Sequence, residues 1–134
     1  MVGGAPKETI DAFIESCKAN SMYSMIDMIG ASDPLNIIRK LKIPPDVVIL
    51  HKGRDEENTK GKVIEYRHVN RIKSKYDLLI SAAGGVGIKE SRSAIFNGAS
   101  IVVVNIVSEN DSWNGIKESD NIADLANLFL ETIE

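Results

Sequence analysis

Residues 46–51 read Asp-Val-Val-Ile-Leu-His, and the stretch that follows, 52–62, reads KGRDEENTKGK. Four consecutive apolar residues, three of them β-branched and stopped abruptly by polar ones, predict a short strand buried on both faces. The polar segment after it predicts a loop with a short helical start, long enough to act as a lid. Three further runs share this character. Residues 23–29 (YSMIDMI) are apolar apart from Ser24 and Asp27. Residues 77–82 (DLLISA) end at Gly84-Gly85, and residues 100–106 (SIVVVNI) form the most strongly β-branched run of the chain.

Between the runs lie segments with helical spacing. Ile10, Phe13, Ile14 and Cys17 define an apolar face over residues 7–20, started after Pro6. Asp33 before Pro34 predicts an N-cap with proline at the first helical position, opening a helix over 35–41. Val63, Tyr66, Val69 and Ile72 place a helix over 63–75, with His68 on its solvated side and without a role. Residues 89–97 form a helix stopped by Gly98, and residues 121–133 an amphipathic helix, after a polar loop over 108–120 that holds Trp113. Cys17 reads as core, and Trp113 as packing of its own loop. Helix, then strand and helix four times over, is the order of a parallel α/β fold.

Composition narrows the function. The 134 residues suit one domain, 43% hydrophobic and 26% charged as in ordinary globular proteins. A net charge of −3 argues against a general nucleic-acid binder, which needs an excess of Lys and Arg. One cysteine excludes an internal disulfide and a cysteine-based zinc site, and fits a reducing compartment. No apolar run approaches the roughly 20 residues of a membrane span, and no signal peptide is evident, so a cytoplasmic location is expected. The length falls short of the roughly 250 residues of a complete (β/α)8 barrel. Walker, GxGxxG, HExxH and GxSxG motifs are absent.

In parallel α/β folds ligands bind beyond the carboxyl ends of the strands. Polar residues sit at three of the four ends, and Gly84-Gly85 at the other. Asp27 reads either as a site carboxylate or as a loop cap. His51 reads either as a hydrogen-bonding or proton-shuttling group or as a satisfied strand-end histidine. The neighbouring Lys52 and Arg54 would suit an anionic substrate. Gly84-Gly85 reads either as a turn or as a cradle whose backbone N–H groups approach a phosphate, with a helix N-terminus following near Lys89. Asn105 ends the fourth run.

Taken in order, MIDMIGASDP, ILHKGRDEE, ISAAGGV and ASIVVVNIV resemble the second half of 3-hexulose-6-phosphate synthase, within the orotidine-5′-phosphate decarboxylase-like group of barrels. The resemblance runs from about Gly3 onward. It implies that the chain is one half-barrel domain over 1–134, holding the last four units of an eight-stranded barrel. MVGGAP would then be the end of the strand before them. It also implies an aldehyde-lyase joining formaldehyde and ribulose 5-phosphate through a metal-stabilised enediolate. Asp27, His51 and Arg54 would then be catalytic, and Gly84, Gly85 and Asn105 phosphate-binding. Two departures stand out. The family's Asp-x-Lys-x-x-Asp motif is absent from the sequence, and with it the acid–base lysine. The usual Mg2+ ligands are absent as well. The last run ends VVVNIV where the family has a glycine-rich phosphate grip. Both edges of such a half barrel would be open, so a homo-oligomer or a first-half partner chain is expected. The alternative is a non-catalytic sugar-phosphate-binding or self-assembling module.

Overall fold

In a computed structural model, residues 1–53, 64–110, 115–119 and 121–133 are described. The expected alternation is present. Helix α1 (Lys7–Ala19) leads to β1 (Met25–Asp27), α2 (Pro34–Lys40), β2 (Val47–His51), α3 (Arg67–Lys73), β3 (Leu79–Ala83), α4 (Ile88–Phe96) and β4 (Ile101–Val102). A short β5 (Ile106–Val107), β6 (Ile116–Lys117) and α5 (Ile122–Ile133) complete the described elements. The first four strands form one parallel sheet in chain order, β1-β2-β3-β4.

Local chemistry explains several boundaries. The Asp33 carboxylate accepts the Asn36 N–H at 3.4 Å and Pro34 opens α2, as its sequence predicts. Strand β1 is preceded by a fastening of the β2 entry: Asp46 Oδ2 accepts from the Ser24 N–H at 2.7 Å and the Ser24 hydroxyl at 2.8 Å. These bonds hold the Asp46 carboxyl below its usual pKa, the Ser24 backbone N–H first. The expected strand end at the N-terminus is also there. Val2 pairs in parallel with Asp27, and the Asp27 N–H donates to Met1 O at 2.8 Å while Gly3 N–H donates to Asp27 O at 2.7 Å.

Alternation along the strands sends side chains to two faces. The outer face carries Ile26, Val48, Leu50, Ile80 and Ala82, all 5% exposed or less. Ile10 and Ile14 of α1, Leu35 and Ile38 of α2, and Val69 and Ile72 of α3 share the same core. Cys17 is buried, as expected. The inner face is read from the register. Met25, Val47 and Leu79 form one row, Val2, Asp27, Ile49, Ser81 and Ile101 the next, and His51 and Ala83 the third. The expectation that the 46–51 run is buried on both faces holds on the outer face and at Val47 on the inner one, while Ile49 and His51 are partly exposed there.

The largest departure concerns residues 100–106, expected as one strand. Only Ile101–Val102 belong to the sheet. Past Val103, whose N–H donates to Ala82 O at 2.9 Å, the neighbouring strand ends. Gly84 and Gly85 take φ values of 91° and 62° and turn β3 away, so no partner continues. Ile106–Val107 pair in parallel with Ile116–Lys117 instead, within the expected polar loop. Trp113 lies outside the described residues.

Candidate active site

Strand register builds the site. Asp27 lies opposite Ile49, so His51, two residues on, projects from the same face. His51 Nδ1 lies 2.8 Å from Asp27 Oδ2. Asp27 Oδ1 accepts the Ile29 N–H at 2.9 Å. Both side chains are about one-quarter exposed, 29% and 25%. A carboxylate only accepts, so this pattern assigns the proton of a neutral His51 to Nδ1 and leaves Nε2 as an acceptor. One Asp27 oxygen ties its own loop, as the loop-cap reading expects, and the other meets the imidazole. A histidine held by a carboxylate is the arrangement that prepares a ring for proton transfer.

His51 opens onto a cavity of about 320 Å3 at the carboxyl ends of β1 and β2, whose wall includes Ser32, Lys52 and His68. Here a sequence expectation is corrected. His68 is 5% exposed, not solvated. It begins the stripe 68, 69, 72, all three buried on α3, which the 63-66-69-72 spacing overlooked. Its Nε2 lies 3.0 Å from Glu65 Oε2, and its Nδ1 is buried without a hydrogen-bond partner. The adjacency of His68 to Val69 and its four-residue step to Ile72 were the available signal.

The three positions expected to hold phosphate are brought to neighbouring strand ends. Lys52 N–H donates to Ala83 O at 3.0 Å, and a Cβ placed on Gly84 would lie 2.0 Å from Lys52 O. Only glycine fits there, both for this approach and for its positive φ. Asn105 N–H donates to Val86 O at 3.3 Å, tying the β4 exit to the glycine turn. Gly84 and Gly85 are themselves buried. The anion-favouring helix end expected near Lys89 is already occupied, because Glu90 Oε2 accepts the Gly87 N–H at 3.2 Å. Arg54 lies outside the described residues.

The donor set does not fit a resident Mg2+. Among the described residues no three His, Cys, Asp or Glu side chains gather to hold a metal ion. Both oxygens of Asp27, the strand-end carboxylate, are already engaged. Hard divalent cations need several oxygen ligands. No helix among the described residues is long and apolar enough to cross a membrane.

No family model matches the chain. Curated relatives do. The bifunctional enzyme Fae/Hps of Methanothrix thermoacetophila is 31% identical over 132 residues, which are 98% of this chain and 31% of that protein. Its namesake in Methanoculleus marisnigri is 35% identical over 136 residues, again 98% and 31%. The chain thus spans about a third of the length of these relatives. Among solved structures, 3-hexulose-6-phosphate synthase from Salmonella typhimurium matches with a TM-score of 0.76 at 20% identity, covering 99% of this chain and 59% of that one. A further 3-hexulose-6-phosphate synthase matches with a TM-score of 0.62 at 24% identity, covering 77% and 49%. The resemblance read from the four strand-end motifs is therefore carried by both sequence and fold: the chain is a homologue of the Fae/Hps bifunctional enzymes over one segment of their length, with the α/β fold of the 3-hexulose-6-phosphate synthases.

Proposed function

We propose that this chain supplies part of a 3-hexulose-6-phosphate synthase-like aldehyde-lyase site, acting on ribulose 5-phosphate and formaldehyde. The observation that carries the reading is the Asp27–His51 pair at the carboxyl ends of adjacent parallel strands. In the addition direction a proton leaves C1 of ribulose 5-phosphate. A bond forms between that carbon and the formaldehyde carbon, and a proton reaches the formaldehyde oxygen. His51, with Nδ1 turned to Asp27 and Nε2 open to accept, is suited to hold or move a proton beside those atoms. Arg54, three residues on, supplies a cation for the substrate, and the Gly84-Gly85 turn with Asn105 receives the phosphate. Formaldehyde-dependent consumption of ribulose 5-phosphate, with Mg2+ in the assay, tests this. Turnover by the wild-type chain that falls at least 100-fold in His51→Ala is expected. Turnover unchanged by that substitution would remove His51 from the mechanism.

The missing Asp-x-Lys-x-x-Asp motif and the lack of a carboxylate cluster among the described residues favour a second reading, a sugar-phosphate-binding module without catalysis. It predicts no turnover, with ribulose 5-phosphate shifting the backbone amide signals of Gly84 and Gly85. Amide signals that stay still would count against binding there.

A further inference from the structure

The turn after β3 gathers backbone donors that the rest of the fold leaves unused. Gly84 and Gly85 take φ values of 91° and 62°, and the N–H groups of Gly84, Gly85 and Val86 meet no acceptor among the described residues. All three residues are buried. Buried backbone donors are nearly always paired, so a run of them without acceptors marks a place for an anion. The next donor in the run, the Gly87 N–H, already holds one. It donates to Glu90 Oε2 at 3.2 Å, across the first turn of α4. The Glu90 charge is felt locally as well: burial first, and then that carboxylate, hold the Tyr66 phenol above its usual pKa.

We infer that Glu90 is a built-in competitor for the phosphate group, an internal anion that weakens phosphate binding at the glycine turn and must give up the Gly87 N–H to it. The inference deepens the proposed function and rests on its assignment of the phosphate to Gly84-Gly85. Gly87 follows Gly85 by two residues, so the carboxylate sits within roughly 10 Å of an anion held by the glycine N–H groups. At that range like charges repel, weakly across water and more strongly beside a buried turn. Displacing Glu90 removes this repulsion and frees a fourth N–H, at the N-terminus of a nine-residue helix whose dipole favours an anion. Glu90 thereby sets affinity for the phosphate group without touching the reacting carbons.

Titration of the 134-residue chain with inorganic phosphate, followed by the backbone amide signals of Gly84 and Gly85, tests this. Glu90→Gln keeps an acceptor of the same length for the Gly87 N–H, so the capping box is retained while the charge is gone. Phosphate is expected to bind this variant about tenfold more tightly than wild type at low salt. The gap is expected to close to about twofold in roughly 0.5 M NaCl, where the charge is screened. Glu90→Asp keeps the charge and is expected to stay within about twofold of wild type at either salt. Equal or weaker binding by Glu90→Gln overturns the inference, as does a gain that Glu90→Asp shares or that salt leaves untouched. In each of those cases the moving amide signals keep the phosphate at the glycine turn, and the proposed function is left intact. Amide signals that stay still in all three chains overturn both.

Discussion

The two faces of one four-stranded sheet differ more than any two helices of the molecule. On the outer face Ile26, Val48 and Ile80 lie in register and none is measurably exposed, 0% each. On the inner face the row one residue earlier, Met25, Val47 and Leu79, is open at two of its three positions. Both rows are apolar, so composition does not separate them. The difference lies in what the chain itself can bring to each side. Three crossover helices, with α1, cover the outer face. In a (β/α)8 barrel the inner face of the sheet packs against the other strands of the same barrel. Asp27 and His51 belong to that inner face.

The widest test of this contrast uses neighbours on β3. Ile80→Ala removes a fully buried side chain from the outer core and is expected to lower the unfolding free energy by about 2–5 kcal/mol. Leu79→Ala removes a half-exposed side chain and is expected to cost less than about 1 kcal/mol. Urea unfolding of both variants measures the contrast. Equal losses from both substitutions would show that the inner face is as closely packed as the outer one.

Gly84→Ala probes the point where the site meets the sheet. Its φ of 91° and the approach to Lys52 O leave no room for a methyl group. A loss of about 3 kcal/mol is expected, from the strained φ together with the backbone displacement needed to relieve the contact. Because Lys52 follows His51, the His51 ring resonances are also expected to shift. A variant of wild-type stability would show that the turn has an alternative conformation.

Asp46 gives a pH dependence at the lower end of the strands. Its carboxyl is held below the ordinary aspartate pKa, so the folded state binds the proton less readily than the unfolded chain. Its stabilising contribution is therefore full above the unfolded value, about 3.9, and is lost as pH falls through the lower folded value. Asp46→Asn is expected to flatten the acid limb of the stability profile below about pH 4. Because the group is exposed, the cost at neutral pH is expected to be about 1 kcal/mol after solvent screening. An acid limb that keeps its slope would assign the acid sensitivity to other carboxylates.

Much of this architecture is legible in the sequence because period and punctuation agree. The runs at 46–51 and 77–82 and the Asp33-Pro34 cap each carry one local signal that the fold obeys. The run at 100–106 carries an equally strong signal and fails. A strand needs a neighbour, and β3 ends at a turn set by two glycines 15 residues or more upstream. His68 fails for a different reason, since it lies four residues before Ile72 on the buried stripe of α3, a step that the 63-66-69-72 spacing passes over. Asp27 and His51 can each be picked out as polar residues at strand ends. That they touch depends on the β1–β2 register, which neither run specifies alone.

Ser81 carries the finest version of the contrast. It sits on the inner face between Ile49 and Ile101, 1% exposed, and its hydroxyl has no hydrogen-bond partner. On the outer face every buried residue of the sheet is apolar at the equivalent depth, so nothing there carries this cost. A buried hydroxyl without a partner is unfavourable relative to a methyl group, and Ala fits the space that Ser leaves. Ser81→Ala is expected to raise the unfolding free energy by about 1 kcal/mol in thermal or urea unfolding. The sign is the informative part. A loss of stability would mean that the hydroxyl is paired in solution. The pairing group would then have to reach it from the inner side of the sheet.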